Sequence, residues 1–262
     1  MKNTKSKITF FSAVAVFLVA VILLLLYLFP SLFKKSPEVV KAPQKTETQS
    51  GEQLPENPKD FDELQKINPD IYAWISIPGT LVDYPVLQYQ YDKSSGQLNE
   101  DQDLNYYIDH DVNKKEKREG SIYSQRLNSK DFSDANTILY GHNMRDDSMF
   151  GSLHSYSKAD FLKKNPYIYI YTRGHILTYK IYAAYNYDDR HILYSFDFTD
   201  PKVTYDYFQM TLNPKTTKKN IDSSVTLTAE DKIITLSTCV SGTHSSQRYL
   251  VQGVLIDDQL TQ

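Results

Sequence analysis

The single cysteine of the chain, Cys239, stands at the end of a segment with the composition of a buried strand. Residues 233–238 combine isoleucine, leucine and threonine, side chains that suit a pleated, half-buried surface. A cysteine thiolate is a strong nucleophile, but a thiol at its usual pKa is mostly protonated at neutral pH. Positive charge beside Cys239 is therefore needed if this residue carries out nucleophilic catalysis.

Arg248 can supply positive charge. It opens a second strand-like run, residues 248–256, nine positions after Cys239. If the two runs pair as an antiparallel hairpin, the chain folds back and Arg248 lies near Cys239. A guanidinium is permanently charged and can orient a substrate carbonyl or stabilise an oxyanion, with help from backbone N–H groups near Cys239.

A histidine at the end of another strand-like run completes this group. Residues 136–140 form that run, and Gly141, His142 and Asn143 follow it. As an imidazolium, His142 can activate the thiol and then protonate an amine leaving group as a general acid. His244 is a rival base because it follows Cys239 closely, but no strand fixes it. The other histidines look like surface or hydrogen-bonded residues: His110, His154, His175 and His191.

Each of these residues also has an ordinary structural interpretation. An isolated cysteine is usually a small buried apolar side chain, and a histidine or arginine at a strand end is commonly structural. A papain-like hydrolase has its cysteine before its histidine, whereas His142 precedes Cys239 in this chain. A binding module that does not use the thiol is a further alternative, which a thiol-reactivity assay separates from an enzyme.

Composition narrows the classes of function. The chain has 262 residues and a net charge of −3, so no overall basic field points to nucleic acid binding. One cysteine excludes an internal disulfide framework, and no Cys/His cluster has zinc-site spacing. Acidic clusters at residues 99–103 and 109–111 lack the spacing of an EF-hand loop, which favours a solvated surface. We therefore expect no metal ion and no other cofactor.

The N-terminal part has the pattern of a membrane anchor. Residues 8–29 are uncharged and apolar, and a helix needs about 20 such residues to span a bilayer. Lysines within residues 1–7 predict a cytoplasmic N-terminus, although two lysines after the apolar stretch weaken this bias. A cleaved signal peptide is the alternative, but the apolar run is long and no small-residue cleavage site follows it. A retained signal-anchor is the favoured interpretation.

A change in composition then marks the start of a globular domain. Residues 30–58 are polar and interrupted by prolines, which predicts a flexible extracellular linker. We expect the catalytic domain to cover residues 59–262. Its first element is a helix, because Phe61, Leu64 and Ile67 recur at helical spacing after Asp60, a suitable N-cap residue.

The domain is predicted to be rich in strands. Residues 167–187 alternate as a long hairpin with three tyrosines on one face and isoleucines on the other. Helices are expected at residues 149–156 and 200–212, the second with Asp200 as its cap. Residues 71–77 suit a short helix or a strand. Further strand candidates are residues 81–88 and 120–125. The three runs described above, residues 136–140, 233–239 and 248–256, are strand candidates too. Some eight strands and a few short helices indicate a mixed, mostly antiparallel β-barrel.

Several motifs together resemble the sortases. Residues 235–239, Thr-Leu-Ser-Thr-Cys, match the pattern Thr-Leu-x-Thr-Cys, with His142 upstream and Arg248 downstream. The resemblance to class B sortases is specific and covers residues 61–256. It is carried by Asn-Pro-Asp-Ile-Tyr-Ala-Trp-Ile at residues 68–75, Tyr-Pro-Val at 84–86, Tyr-Gly-His-Asn-Met at 140–144 and Ser-Met-Phe at 148–150.

The resemblance implies a fold, an activity and a site. The fold is a closed β-barrel of about eight strands with short helices and an N-terminal helical lead-in, preceded by one transmembrane helix. The activity is that of a membrane-anchored transpeptidase: Cys239 attacks a Thr–Gly or Thr–Asn-type bond in the C-terminal sorting signal of a secreted protein. An amine of a cell-wall precursor, or of a pilin, resolves the thioester. The implied catalytic residues are His142, Cys239 and Arg248, and the implied substrate-groove residues are Tyr140, Ser237 and Thr238.

One segment departs from the family pattern and leaves specificity open. Class B sortases often have acidic or aromatic residues just after the cysteine, whereas residues 240–246 are small and polar here. The sorting signal, the acceptor amine and the choice between cell-wall anchoring and pilus polymerisation do not follow from the sequence. A membrane-anchored cysteine peptidase and a catalytically silent surface module on the same fold are the alternatives to a transpeptidase.

Overall fold

The computed structural model of the protein describes residues 54–90, 104–240 and 246–262. The predicted membrane anchor at residues 8–29, most of the predicted linker, and His244 lie outside the described residues. Within the described ranges, no helix is both long enough and apolar enough to cross a membrane.

Strands dominate the described residues. The strands are β1 (Ile71–Ser76), β2 (Asp83–Leu87), β3 (Ile122–Ser124), β4 (Asn136–Tyr140), β5 (Tyr167–Thr172), β6 (His175–Asp188), β7 (Lys219–Ile221), β8 (Ile233–Cys239) and β9 (Gln247–Leu260). The α-helices are α1 (Phe61–Ile67), α2 (Ala159–Lys164), α3 (Ile192–Ser195) and α4 (Pro201–Leu212). Two 3₁₀ helices are η1 (Tyr106–Ile108) and η2 (Gly151–Ser157).

The strands form a closed barrel. They pair in the order β5-β1-β2-β3-β4-β8-β9-β6-β7, and a further pairing between β5 and β6 closes the ring of eight. The short strand β7 pairs with β6 at Ala183–Tyr185, beyond the part of β6 that β5 covers. Two neighbouring pairs are parallel, β2 with β3 and β4 with β8. The predicted mostly antiparallel barrel of about eight strands is confirmed.

The hairpin of β5 and β6 shows how the sequence pattern builds the barrel wall. Ile168 and Ile170 are fully buried in the core, and the three tyrosines of β5 lie on the other face of the strand, where they are half-buried or exposed, as the predicted alternation requires. Gly174 makes the turn to β6 with a φ of 83°, a conformation that favours glycine. The alternation therefore fixes which face of each strand points into the barrel.

Two predicted helices are confirmed with their caps. The Asp60 carboxylate accepts the N–H groups of Asp62 and Glu63 at 3.0 and 3.2 Å and starts α1. Asp200 caps α4 in the same way. All three residues of the predicted helical spacing lie in α1; Phe61 and Leu64 are buried, and Ile67, the last residue of the helix, is 43% exposed. Residues 71–77 are compatible by sequence with either a helix or a strand, and all but the last of them form β1.

The helix predicted over residues 149–156 is not an α-helix. Met149 has a φ of 52°, outside the helical region, and the Phe150 N–H donates to the His142 carbonyl at 2.9 Å. This long-range bond takes the place of a helical one. The segment becomes helical only from Gly151, as the 3₁₀ helix η2, and it still buries Leu153 and Tyr156 against the barrel.

Candidate active site

Two parallel strands bring His142 and Cys239 to one rim of the barrel. β4 and β8 run side by side, with Tyr140 opposite Ser237, so both strands finish at the same edge. The Gly141 N–H donates to the Ser237 carbonyl at 3.3 Å and extends the ladder by one bond. His142 comes next after Gly141, and Cys239 is the last residue of β8. The side chains proposed for chemistry therefore stand at neighbouring strand ends.

The predicted hairpin brings Arg248 to the same place. β8 and β9 are antiparallel, and Arg248 is the register partner of Cys239. Directly opposite residues of an antiparallel pair have their side chains on one face of the sheet. Cys239 and Arg248 are both half-buried, so the thiol and the guanidinium share a partly desolvated environment.

One cleft, of about 470 Å³, contains all of the predicted site residues. The three catalytic candidates line it, and so do the three substrate-groove candidates, Tyr140, Ser237 and Thr238. The rest of the lining comes from β3, the end of β6, α3 and nearby segments: Asn105, Ile108, Tyr123, Gln125, Gly141, Tyr187, Asp188, Asp189, Arg190, His191, Ile192 and Leu250.

Thr238 differs from its neighbours in this group. It is only 3% exposed, and its Oγ1 is buried with no hydrogen-bond partner among the residues that the structure describes. Its register partner is Tyr249, which packs in the barrel core. Ser237 and Cys239, on either side of it, project to the opposite face of β8. Thr238 touches the cleft, but its hydroxyl is turned towards the protein interior.

Tyr123 and Tyr140 form an aromatic wall beside Arg248. Their rings stack with centroids 5.5 Å apart and planes inclined by 28°. Burial raises the pKa of both phenols above the usual value, and the positive charge of Arg248 opposes this rise. The wall is therefore uncharged at neutral pH. An uncharged, poorly solvated wall strengthens the interaction of Arg248 with a carbonyl oxygen in the cleft.

A chain of side-chain hydrogen bonds crosses another wall of the cleft. Tyr123 Oη and Gln125 Nε2 both donate to Asn105 Oδ1, at 3.0 and 3.1 Å. His191 Nδ1 accepts the Tyr194 N–H at 3.3 Å, so Nε2 carries the proton and donates to Gln125 Oε1 at 2.7 Å. Burial lowers the pKa of His191, which favours this neutral form. No motif signals these residues, because they come from separate segments.

The remaining histidines are hydrogen-bonded, as expected, but two of them belong to the site. His110 pairs with Asp109, and His175 pairs with Asp258, each at 2.7 Å on the surface. His191 lines the cleft. His154 is half-buried, and its Nε2 lies 3.1 Å from the carbonyl oxygen of Cys239. His154 and His191 are thus hydrogen-bonded as expected, and the structure adds that both lie next to the predicted site residues.

Among the described residues, no group of three or more His, Cys, Asp or Glu side chains is arranged to hold a metal ion. The acidic cluster at residues 99–103 lies outside the described ranges. In the other cluster, Asp111 Oδ1 accepts the N–H groups of Asn113 and Lys115 at 2.8 and 3.1 Å. This carboxylate therefore shapes a turn.

Comparisons with known proteins agree with the geometry. Residues 75–256 match the sortase domain. Sortase B of Listeria monocytogenes is 34% identical over 198 residues, which are 74% of this chain and 73% of that protein. Sortase B of Staphylococcus aureus is 35% identical over 179 residues, 68% of this chain and 67% of that protein.

Solved structures give the same result. A structure of the Staphylococcus aureus sortase B–substrate complex superposes with a TM-score of 0.64 at 29% sequence identity. The match covers 79% of this chain and 87% of that one. The chain therefore belongs to the sortase family, in class B, and is a sortase-type cysteine transpeptidase.

Proposed function

We propose that the protein cleaves a C-terminal sorting signal of secreted proteins and transfers the acyl group to an amine of a cell-wall precursor or a pilin. The observation that carries the proposal is the register of β8 and β9, which sets Cys239 opposite Arg248 in the cleft that His142 also lines. The similar Staphylococcus aureus sortase B has been solved as a substrate complex, which supports a sortase substrate for this protein too.

Cys239 acts as the nucleophile. Its thiolate attacks the carbonyl carbon of the scissile amide, and the tetrahedral intermediate collapses to a thioester as the C–N bond breaks. His142 stabilises the thiolate and gives its proton to the departing amine. The acceptor amine then attacks the thioester, His142 takes a proton from it, and the C–S bond breaks to restore Cys239.

Arg248 and the cleft wall orient the peptide. The guanidinium donates to the carbonyl oxygen as negative charge develops on it. Tyr140 offers an apolar face for the substrate, and Ser237 offers a hydroxyl at the floor of the cleft. Thr238 acts mainly through its backbone, because its side chain is turned inward.

The protein is proposed to work at the outer face of the cell membrane. Residues 8–29 are proposed to span the membrane once, with residues 1–7 in the cytoplasm. The predicted linker, residues 30–58, joins this span to the catalytic domain outside the cell. The end of the linker packs on that domain, since Asn57 is almost fully buried and donates to the Thr172 carbonyl oxygen at 2.7 Å. The lysine distribution and the apolar run support this topology.

A peptide panel tests the activity. The full-length protein is incubated with sorting-signal peptides, with and without an added amine, and the products are followed by mass spectrometry. We expect an amine-dependent transpeptidation product and a thioester-linked adduct on Cys239. Cleavage that yields only the hydrolysed acid, even with excess amine, would favour a peptidase.

The matched control is Cys239→Ala. This variant should lose all cleavage while its melting temperature stays close to that of the wild type, because a half-buried residue at a strand end contributes little packing. Residual cleavage by Cys239→Ala above the uncatalysed background would remove Cys239 from the mechanism. A wild-type protein whose thiol reacts no faster than a free cysteine, and which turns over no peptide, would favour the silent binding module.

Cell fractionation tests the topology. The native protein should sediment with membranes at full length, and a protease added outside intact protoplasts should digest the catalytic domain. A soluble mature form that starts near residue 31 would show that the apolar segment is a cleaved signal peptide.

A further inference from the structure

We propose that Asn143 and His154 are positioning residues that clamp the carbonyl group of Cys239 and thereby hold the thiol in place relative to His142. The proposal rests on the catalytic roles proposed above for Cys239 and His142. It assigns a function to two side chains that lie behind the strand end and outside the cleft lining.

The clamp begins where the backbone ladder between β4 and β8 ends. Alternate carbonyl groups of a strand point to the same edge. Ser237 uses its carbonyl to accept the Gly141 N–H, so the next carbonyl directed towards β4 is that of Cys239. No further register pair joins the two strands beyond Tyr140 and Ser237 in the described residues. The Cys239 carbonyl therefore needs partners other than a neighbouring strand.

Two side chains supply those partners. Asn143 Nδ2 donates to the Cys239 carbonyl oxygen at 2.9 Å. His154 Nε2 lies 3.1 Å from the same oxygen, and since a carbonyl oxygen can only accept, this nitrogen carries the proton. Both lone pairs of the oxygen are then used. Removal of either donor loosens the last peptide of the strand, the one that carries the thiol.

The same contacts hold His142. Its preceding residue, Gly141, bonds to the Ser237 carbonyl through its N–H, and its following residue, Asn143, bonds to the Cys239 carbonyl through its side chain. The His142 carbonyl itself accepts the Phe150 N–H at 2.9 Å. The residues on both sides of His142 are therefore hydrogen-bonded to the strand that ends in Cys239.

His154 joins a third strand to the clamp. Its ring stacks on Tyr249 with centroids 4.4 Å apart and planes inclined by 23°. Tyr249 lies in β9, next to Arg248, and is almost fully buried. The ring contact and the hydrogen bond can be separated by mutation, because phenylalanine keeps the stacking surface and glutamine keeps an N–H donor.

The test uses the alkylation rate of Cys239 by iodoacetamide, measured from pH 5 to pH 10 on the full-length protein by intact mass. Since Cys239 is the only cysteine, adducts that form on the wild type but not on Cys239→Ala report on this site. A misplaced imidazolium stabilises the thiolate less, so the midpoint of the profile rises. A rise of one pH unit lowers the thiolate fraction near neutral pH by about tenfold.

We expect Asn143→Ala and His154→Phe to raise the midpoint in the same direction as His142→Ala and by at least half as much. His154→Gln should keep the wild-type profile, because it retains the donor. These variants leave the other charged groups of the cleft in place (Asp188, Asp189, Arg190, His191 and Arg248), so a shift reports on geometry.

The matched control is Asn220→Ala. Asn220 Nδ2 donates to the Tyr156 carbonyl oxygen at 2.8 Å, so it makes the same type of bond as Asn143. Tyr156 lies in η2, the 3₁₀ helix that also contains His154, but it does not line the cleft. This variant should keep the wild-type profile even if its melting temperature falls. Asn143→Leu, which is close in shape to asparagine, has no donor and adds no charge, should behave like Asn143→Ala if the latter fails to fold.

The outcomes separate the two proposals. The clamp alone would be overturned if His142→Ala shifts the midpoint but Asn143→Ala and His154→Phe give the same alkylation profile as the wild type. An unshifted His142→Ala would overturn the proposed pairing of His142 with Cys239 and the clamp with it. An equal shift in Asn220→Ala would show that loss of any such bond has this effect and would also overturn the clamp.

Discussion

Two buried polar regions on the β8–β9 hairpin differ in how their polar atoms are satisfied. At one, the Gln252 amide donates to Thr235 Oγ1 at 2.9 Å and to Tyr207 Oη at 3.3 Å, and accepts from Tyr185 Oη at 3.0 Å. At the other, Thr238 and Tyr249 face each other in register. Neither hydroxyl of this second pair has a hydrogen-bond partner within the described part of the chain.

The difference suggests that the Gln252 region of the hairpin contributes to stability and that the region next to Cys239 serves function. A buried polar group without a partner costs about 1–3 kcal/mol, whereas a satisfied one does not. The Gln252 region therefore stabilises the barrel, and the region next to Cys239 is maintained in spite of a local cost. Substitutions near Cys239 should change the catalytic rate with little loss of stability. Substitutions at Gln252 should lower stability with little change in the catalytic rate.

The largest expected effect is on activity, at Arg248. A lysine keeps the charge but loses the planar set of donors that can address a fixed carbonyl. We expect Arg248→Lys to lower kcat nearly as much as Arg248→Ala, by about 10²–10³, with little change in melting temperature. Steady-state cleavage of a cognate peptide and a melting curve measure both. Arg173→Lys, on the distant β5–β6 turn, is the control, and a lysine variant that keeps most of the activity would contradict a directed-donor role.

The second effect is on stability, at Gln252. Gln252→Leu removes the hydrogen-bond partner of the buried Tyr185 hydroxyl and weakens the bonding of Thr235 and Tyr207. We expect a loss of about 3 kcal/mol in the free energy of unfolding, measured with urea. The specific activity of the folded fraction should stay close to that of the wild type. Gln259→Leu, at an exposed position of the same strand, should be nearly neutral.

A pair of tyrosine variants sharpens the comparison. Tyr249→Phe removes a buried hydroxyl that has no partner, so stability should be unchanged or rise by about 1 kcal/mol. Tyr185→Phe removes a hydroxyl that donates to Gln252, so stability should fall by about 1 kcal/mol. Equal losses in the two variants, measured by chemical denaturation, would show that the regions do not differ in this respect.

The smallest effect concerns pH and His191. Burial lowers the pKa of His191 in the folded protein below the unfolded value of about 6.5. The unfolded chain then binds more protons between these two values, so stability is fully present above about pH 6.5 and falls as the pH drops towards the folded pKa.

The matched variant for this effect is His191→Asn, which can still cap α3 but does not titrate. Its melting temperature should fall less than that of the wild type between pH 7.5 and pH 5.5. Equal falls in the two proteins would assign the acid sensitivity to other groups.

The hairpin that carries Cys239 and Arg248 was predictable because its information is local. Two strand-like runs separated by a short polar segment determine both the pairing and the neighbour of the thiol. The helix caps Asp60 and Asp200 follow from the same kind of short-range rule. His142 was recognisable as a strand-end histidine, but only the family resemblance indicated its place beside Cys239, because that depends on a parallel pairing between distant strands.

Other parts of the site depend on contacts that no local pattern contains. Nothing in the local sequence distinguishes His154 from His191. His154 nevertheless bonds to the Cys239 carbonyl, whereas His191 donates to Gln125 in the hydrogen-bonded wall of the cleft. The segment after Asn143 has helical spacing but is diverted by the bond from Phe150 to His142. Tertiary hydrogen bonds override the local preference in each case.

The parallel pairing of β4 with β8 also has a consequence for the order of folding. The bond from Asn143 to Cys239 joins residues 96 positions apart, whereas β5 and β6 are joined by a tight turn. Closing a long loop costs more chain entropy and is slower than forming a hairpin. We therefore expect the strand ends that carry Cys239 and His142 to come together late, after the local hairpins have formed. On the mechanism proposed above, a partly folded chain lacks the partners of Cys239, and we expect its thiol to become a strong nucleophile only in the completed barrel.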